Sequence, residues 1–266
     1  MTDFSVLIPA RYQASRLPGK PLREIGGVPL VCRVMERAKA SGARRVVVAT
    51  DDERIGAAVR EWGCEAVLTS PECASGTDRL AEAVAALDLP EREPVVNVQG
   101  DEPFMPSELI REVAEALDAE PAREMATAAH PLREWRRVLD PNCVKVVTDR
   151  QGDALYFSRA PVPWPRDLLG GEWPGPEGPD LREPPRGFWL HIGIYAYRAG
   201  FLRAYPEWTP TPLERLESLE QLRALENGVR LRVIECTRPP GLGVDTPEDL
   251  AEAERRLTRT DSDALQ

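Results

Sequence analysis

The chain has 266 residues, of which 42% are hydrophobic, and its formal net charge is −10. This length allows one or two globular domains with a sizeable core, and no apolar run approaches the roughly 18 residues that a membrane span needs. A pI near 5 argues against a nucleic-acid polymer as partner, while a local basic pocket for a small anion is compatible with it.

Strands and helices alternate through the first part of the chain. The runs FSVLIPA, RRVVVATD, EAVLTS and PVVNVQGD predict strands, whereas PLVCRVMERAKASG, DERIGAAVREWG, DRLAEAVAALD and PSELIREVAEALD have helical periodicity. The N-terminus lacks the basic and long apolar regions of a signal peptide, so we expect its apolar run to be a strand and the protein to be cytoplasmic. The alternation predicts an α/β core over residues 1–124, built on a doubly wound, mostly parallel, Rossmann-like sheet.

The pattern changes from about residue 125. The runs MATAAHPL, CVKVVTD, ALYFSRA and HIGIYAYR predict a smaller mixed or antiparallel subdomain over 125–210, interrupted by a Pro/Gly-rich loop at 165–187. Residues 211–257 are predicted to form helices that complete the core, with capping boxes beginning at Thr211 and Thr246. Residues 258–266 are predicted to be a flexible tail.

The loop after the first strand is basic. Its sequence IPARYQASRLPGKPL carries Arg11, Arg16 and Lys20 and no acidic residue. It is neither a G-x-G-x-x-G fingerprint nor a P-loop, so any phosphate would be bound mainly by side chains. Three cations in a loop could also be solvated surface residues. Only three of the chain's 34 basic residues are lysines, which draws attention to Lys20 and Lys145.

Two aspartates suggest a metal site. Asp101 follows the strand PVVNV, and Asp245 lies in GLGVDTPED. Loops that follow parallel strands meet at one edge of the sheet, so Asp101 should lie near the basic loop. Either aspartate alone could be a turn or capping residue, but together they suit Mg²⁺, which takes one or two carboxylates plus phosphate oxygens.

Histidines and cysteines restrict the remaining chemistry. With only His130 and His191 there can be no H-E-x-x-H metal site. The five cysteines are scattered without a C-x-x-C pair, which favours reduced thiols over disulfides or zinc. Catalysis is therefore expected to depend on carboxylates, cations and a metal ion.

Nine segments together resemble the 3-deoxy-manno-octulosonate (KDO) cytidylyltransferase family. In chain order they are IPARYQASRLPGKPL, ATDDERI, SGTDRLAEA, NVQGDEPF, NCVKVV, ALYFSRAPVPW, HIGIYAYR, LERLESLEQLR and GVDTPEDL. The resemblance runs from residue 4 to about residue 257. The loop at 165–187 departs from it, because that loop is longer than is usual for the family.

The resemblance implies a nucleotidyltransferase-type fold and the reaction of CTP with KDO to give CMP-KDO and pyrophosphate, for lipopolysaccharide biosynthesis. It implies that Asp101 and Asp245 bind Mg²⁺ and that the triphosphate is bound by the basic loop. Residues that would contact the nucleotide are Arg11, Arg16, Lys20, Ser75, Gly76 and Gln99; of these, Lys20 and Arg16 would join Asp101 and Asp245 in catalysis. SGTD could equally be only a helix N-terminus.

The sugar would be bound by the subdomain over 125–210 and by the segment LEQLR. By resemblance, the sugar-binding residues are Arg159, His191, Tyr195, Glu220 and Gln221. Packing roles for the histidine and tyrosine, and a solvated role for Glu220, remain open from the sequence. The resemblance also implies a homodimer, formed through the same subdomain. Two alternatives remain: a cytidylyltransferase for another acidic sugar, such as 8-amino-KDO or a sialic acid, or a non-catalytic nucleotide-binding regulator.

Overall fold

The computed structural model describes residues 2–13, 16–170 and 183–263, which are organised around one central sheet. The strands are β1 (Ser5–Ala10), β2 (Glu24–Ile25), β3 (Val28–Pro29), β4 (Arg45–Thr50), β5 (Glu65–Leu68), β6 (Pro94–Asn97), β7 (Met125–Pro131), β8 (Lys145–Thr148), β9 (Ala154–Ser158), β10 (Trp189–Arg198) and β11 (Leu231–Glu235). The helices are α1 (Leu30–Ala40), α2 (Glu53–Glu61), α3 (Gly76–Ala86), α4 (Ser107–Asp118), α5 (Trp135–Leu139), α6 (Arg166–Leu169), α7 (Ala199–Ala204), α8 (Pro212–Glu217), α9 (Gln221–Glu226) and α10 (Pro247–Asp263).

The first half of the sheet is parallel, as predicted. Strand β1 pairs in parallel with β4 and β6, and β4 pairs in parallel with β5. Helices cross between these strands and cover both faces, so the predicted α/β, doubly wound class is confirmed. The helices α1 to α4 and the four parallel strands all fall on the segments whose periodicity predicted them.

The second half of the chain extends this sheet. Strand β10 is antiparallel to both β6 and β7, and β11 runs parallel to β7 at the far edge. The short strands β8 and β9 branch from β10 as an antiparallel addition. The predicted boundary after residue 124 therefore does not separate two sheets, because β7 and β10 pair into the sheet that the first 124 residues begin.

Alternate residues of β1 supply the two faces of the core. Val6 and Ile8 are buried under α1, α2 and α4, whereas Leu7 is buried under α3 and α7 on the other face. All three side chains are inaccessible to solvent. Burial on both faces accounts for the nearly continuous apolar sequence of the strand.

Several helix boundaries follow the sequence. At α10, Asp249 accepts hydrogen bonds from the Thr246 and Asp245 amides, and its own amide donates to the Thr246 hydroxyl at 3.2 Å. At α8, Glu214 accepts from the Thr211 amide at 3.0 Å. Helix α10 continues to Asp263 through a stretch that contains no proline or glycine, and the flexible tail over residues 258–266 stays a prediction.

The structure bears on two further sequence predictions, the loop at 165–187 and the absence of a membrane span, only within the residues that it describes. The loop at 165–187 begins with α6, and its residues 171–182 lie outside the described part of the chain. Within the described ranges, no helix combines the length and apolarity needed to cross a membrane.

Candidate active site

A polar cavity of about 360 Å³ lies at the carboxyl ends of β1 and β6. It is lined by every residue that the sequence analysis assigned to the nucleotide or the metal: Arg11, Arg16, Lys20, Ser75, Gly76, Gln99, Asp101 and Asp245. The structure thus brings the basic loop and the loop after β6 together, as the convergence of strand ends predicted, and it places the segment before α10 beside them.

Close contact between two backbone segments shapes this cavity. A Cβ atom on Gly100 would lie only 2.8 Å from the Pro9 carbonyl oxygen. Any side chain there would push the loop after β6 away from β1. Glycine at this position therefore allows Gln99 and Asp101 to stand beside the basic loop.

Lys20 lies between the two aspartates. Its Nζ donates to Asp101 Oδ2 at 2.7 Å and to Asp245 Oδ1 at 2.9 Å. Burial alone would lower the pKa of Lys20, but the two carboxylates outweigh this effect and raise it. The sequence analysis assigned Lys20 to the triphosphate. The structure shows it first as the counter-ion of the predicted metal ligands, because the turn that follows Gly19 points it at them.

Arg16 completes a group of balanced charge. Its guanidinium lies 3.1 Å from Asp245 Oδ2, and its side chain is 65% exposed. An exposed pair of this kind contributes little to stability, so Arg16 is available to an incoming anion. Two cations and two carboxylates therefore face one another across the cavity.

Glu102 lies directly behind this group. Burial, together with Asp101 and Asp245, raises the pKa of its carboxyl to about 7. Its Oε2 is buried and has no hydrogen-bond partner among the described residues. Sequence reasoning placed no role on Glu102, although it follows Asp101 directly in the chain.

The donors present fit a hard divalent cation that is shared with a substrate. Within the described residues, no group of three or more His, Cys, Asp or Glu is arranged to hold a metal. Asp101 and Asp245 supply two carboxylates that line the cavity. Mg²⁺ commonly takes one or two carboxylates and completes its shell with water and phosphate oxygens, which matches this set.

The start of α3 forms another wall of the cavity. Ser75 caps the helix, since its Oγ accepts from the Asp78 amide at 3.1 Å, and it also lines the cavity. Both readings of SGTD are therefore compatible with the structure. Arg79, one turn further on, lines the cavity as well, and its guanidinium is 3.2 Å from Asp51 Oδ2. Nothing in the sequence distinguished Arg79, because an arginine in an amphipathic helix is ordinarily a surface residue.

A second cavity of about 320 Å³ adjoins the first. Gly76, Gln99 and Glu220 line both, so the two cavities are contiguous. Four of the five predicted sugar-binding residues line the second cavity: His191, Tyr195, Glu220 and Gln221.

His191 and Tyr195 lie on the same wall of this cavity. Their ring centroids are 5.3 Å apart, and His191 Nε2 is 3.1 Å from the Thr127 hydroxyl. Burial lowers the pKa of His191 to about 3, so the imidazole is neutral at physiological pH. A neutral histidine can accept or donate a hydrogen bond, but it does not supply the cation that an acidic sugar requires.

Arg159 does not line either cavity. Its guanidinium donates to the main-chain carbonyls of Glu217 at 2.7 Å and Pro141 at 3.0 Å. The predicted contact of Arg159 with the sugar carboxylate stays a prediction, because two of its guanidinium nitrogens already donate to backbone carbonyls here. Arg159 holds in place the segment around Ser218, through a contact with the Ser218 carbonyl at 3.5 Å. Ser218 and Glu220 of this segment line the second cavity.

Replacing Arg159 with alanine is expected to raise the KM for the acidic sugar about tenfold or more while the KM for the nucleotide changes little. Steady-state kinetics with each substrate varied in turn measure this difference. A sugar analogue whose carboxylate is reduced to an alcohol distinguishes two roles for Arg159. If Arg159 contacts the carboxylate, the mutant and the wild type should use this analogue equally well. If Arg159 only holds the Glu217–Ser218 segment in place, the mutant should still use the analogue less well than the wild type. Equal losses for sugar and nucleotide would contradict both.

Lys145 is a buried cation outside the cavities. It is fully inaccessible to solvent, and its Nζ donates to the carbonyls of Arg159 at 2.6 Å and Asp140 at 2.9 Å. Burial lowers its pKa to about 8. Lys145 thus ties the segment of Arg159 to the loop before β8.

The buried lysine predicts a pH-dependent stability difference between wild type and Lys145→Met. Because the folded state loses this proton at lower pH than the unfolded state, the unfolded state binds more protons between about pH 8 and 10. The free energy of unfolding of the wild type should therefore rise relative to Lys145→Met across that window, by about 2 kcal/mol. Urea unfolding at several pH values measures it. Parallel pH profiles for the two proteins would contradict the assignment.

Comparison with known proteins agrees with this geometry. The sequence profile of the family described as cytidylyltransferase matches residues 5–231. The chain therefore belongs to the cytidylyltransferases, enzymes that transfer a nucleotidyl group.

Individual relatives identify the group of cytidylyltransferases to which the chain belongs. A protein from Idiomarina loihiensis is 52% identical over 253 residues, covering 95% of this chain and 98% of its own, and one from Halorhodospira halophila is 53% identical over 258 residues, covering 97% and 98%. Both are named 3-deoxy-manno-octulosonate cytidylyltransferase, and this chain is a member of that family.

Solved structures show the same relationship. A CMP:2-keto-3-deoxy-manno-octonic acid synthetase complexed with CTP has a TM-score of 0.85 and 37% identity, covering 97% of this chain and 100% of its own. A nucleotidyl transferase from Methanothermobacter shares 16% identity with a TM-score of 0.58, covering 97% and 99%, which extends the likeness of fold alone.

Proposed function

We propose that the protein transfers the cytidylyl group of CTP to KDO, releasing pyrophosphate and forming CMP-KDO for lipopolysaccharide biosynthesis. The observation that carries this proposal is the pair of contiguous cavities, one lined by cations and two aspartates and the other by hydrogen-bonding side chains, which share Gln99 and Glu220. The names of the relatives support the choice of substrates.

The first cavity would hold the nucleotide. Arg11, Arg16 and Lys20 would bind the triphosphate, with the arginines offering planar pairs of donors and the lysine a point charge. Ser75, Gly76 and Gln99 would contact cytosine and ribose at the opposite wall. Cytosine presents an amino donor and an acceptor where uracil presents an acceptor and a donor, so a site that binds this edge discriminates between them.

Asp101 and Asp245, which both line the first cavity, would hold Mg²⁺. When bound, the ion would favour ionisation of the attacking hydroxyl and neutralise charge on the departing pyrophosphate. Lys20 and Arg16 would leave the aspartates for the phosphates and stabilise the negative charge that develops there.

The second cavity would orient the sugar. Its hydroxyls would be held by His191, Tyr195, Glu220 and Gln221. The anomeric hydroxyl would then point into the first cavity beside Glu220, which lines both cavities. The hydroxyl oxygen then bonds to the α-phosphorus, the bond from that phosphorus to the bridging oxygen breaks, and the hydroxyl proton passes to solvent. No covalent enzyme intermediate is required, so positioning and charge stabilisation carry the catalysis.

We also propose a cytoplasmic homodimer. Use of CTP requires a compartment that contains this nucleotide. Leu155 in β9 and Leu216 in α8 are 63% and 82% exposed, and hydrogen bonds from Tyr156 and Ser158 to Glu217 hold these two elements together. Exposed leucines on adjacent elements suit burial against a second copy.

Pyrophosphate release with CTP, UTP, ATP or GTP, with and without KDO, tests the proposed function. Release should require both CTP and KDO, and UTP should be used at least tenfold less efficiently, because mismatched buried hydrogen-bonding groups remain unpaired. Preference for 8-amino-KDO or a sialic acid over KDO would assign a different sugar. Nucleotide binding without turnover of any acidic sugar would identify a regulator, which the presence of both Asp101 and Asp245 argues against.

A further inference from the structure

Asn97 is a polar residue at the end of an apolar strand. It closes β6, and its side chain is only 2% exposed. In the sheet it lies opposite Leu7 of β1 and Tyr195 of β10, so it shares their face. That face contains the second cavity, which Asn97 lines. The proposed function gives Asn97 no role.

Two buried amides in this cavity have unsatisfied atoms. Neither Asn97 Oδ1 nor Gln221 Nε2 has a hydrogen-bond partner among the described residues. Gln221 is itself 8% exposed and lines the same cavity. Folded proteins pair the great majority of buried polar groups, so two unpaired amide atoms in one cavity indicate a polar ligand.

The two atoms complement a hydroxyl group. An amide oxygen accepts a hydrogen bond and an amide nitrogen donates one, and a hydroxyl can do both. Asn97 also neighbours the buried Tyr197, which lines the same cavity. An apolar residue could fill the volume of Asn97 but could not form a hydrogen bond with a hydroxyl group.

We propose that Asn97 is a specificity-determining residue of the sugar site, whose amide oxygen accepts a hydrogen bond from a sugar hydroxyl held on its other side by the amide of Gln221. The proposal rests on the proposed function, since it requires a polyhydroxylated sugar in the second cavity. It excludes a purely structural role, in which Asn97 would serve only to hold Tyr197.

Substrate analogues combined with Asn97→Leu test this pairing. Leucine keeps the approximate volume and removes both polar atoms. Kinetic constants are measured for wild type and variant with KDO and with a set of KDO analogues, each lacking one hydroxyl other than the anomeric one. Asn227→Ala serves as control, because it loses the hydrogen bond from Asn227 Nδ2 to the Arg223 carbonyl at 2.8 Å and lines neither cavity.

We expect Asn97→Leu to lower kcat/KM for KDO on the order of tenfold or more, with the calorimetric Kd for CTP unchanged. One analogue should be equally poor with wild type and variant, because the variant has already lost the partner of the missing hydroxyl. Thermal melts accompany every variant, and Asn97→Ala is used if Asn97→Leu does not fold.

A loss of the same factor for KDO and every analogue would overturn the proposal and leave Asn97 a structural residue. Weaker CTP binding in proportion to the kinetic loss would overturn it too. Wild-type enzyme that fails to use KDO at all would instead overturn the proposed function, and with it this inference.

Discussion

Asp101→Asn and Asp245→Asn should each lower kcat by a factor on the order of 10² or more while CTP binding falls much less. Each change keeps the side-chain shape and removes one negative charge from a site suited to a hard cation. The triphosphate keeps its three cations, Arg11, Arg16 and Lys20. Single-turnover kinetics and calorimetry with CTP separate the two effects.

Two controls make this result specific. Asp52→Asn alters a carboxylate that caps α2 by accepting from the Arg54 amide at 2.9 Å, and it should leave turnover unchanged. Chelation of the wild type with EDTA should reproduce the slow turnover of the mutants. A turn or capping role for Asp101 or Asp245 would appear as a lower Tm with full activity per folded molecule, and near-wild-type turnover would remove that residue from the metal site.

Lys20→Met should produce the second large loss, with kcat/KM for CTP lower by about 10² or more. The variant loses a charged donor to the triphosphate. It also leaves Asp101 and Asp245 without the ammonium that lies 2.7 and 2.9 Å from them. We therefore expect Lys20→Met to bind Mn²⁺ more tightly than wild type in the absence of nucleotide, as measured by electron paramagnetic resonance.

Lys39→Met is the matched control for this variant. Lys39 is one of the two other lysines, and its Nζ donates to the Gly63 carbonyl at 3.2 Å, outside both cavities. It should behave as wild type in both measurements. Unchanged Mn²⁺ binding in Lys20→Met would show that Lys20 does not compete for the aspartates, whatever happens to turnover.

The sequence was most informative where side chains follow strands. Arg11 and Asp101 come after β1 and β6, and parallel pairing of these strands brings the loops together regardless of side-chain detail. The helix and strand periods were likewise sufficient for the α/β class, because each face of β1 is covered by helices of the predicted pattern.

Orientation was what the sequence could not provide. The contact of Lys20 with Asp245 joins residues far apart in the chain, and only the packing of α10 against the basic loop sets its geometry. Arg159 carries the right charge to bind a carboxylate, yet its guanidinium donates hydrogen bonds to nearby main-chain carbonyls. The sequence did not point to Arg79 or Asn97, because the type of a residue within a helix or strand does not indicate whether its side chain lines a cavity.

The group of Arg16, Lys20, Asp101 and Asp245 has a thermodynamic consequence. A triphosphate that draws the two cations away leaves both carboxylates uncompensated, and a divalent cation placed between the carboxylates repels the same two cations toward the phosphates. Nucleotide and metal should thus bind with positive cooperativity, and reciprocity requires each to increase the affinity of the other by the same factor. At the proposed metal site, free Mg²⁺ should therefore bind weakly, and a bound nucleotide should strengthen its binding.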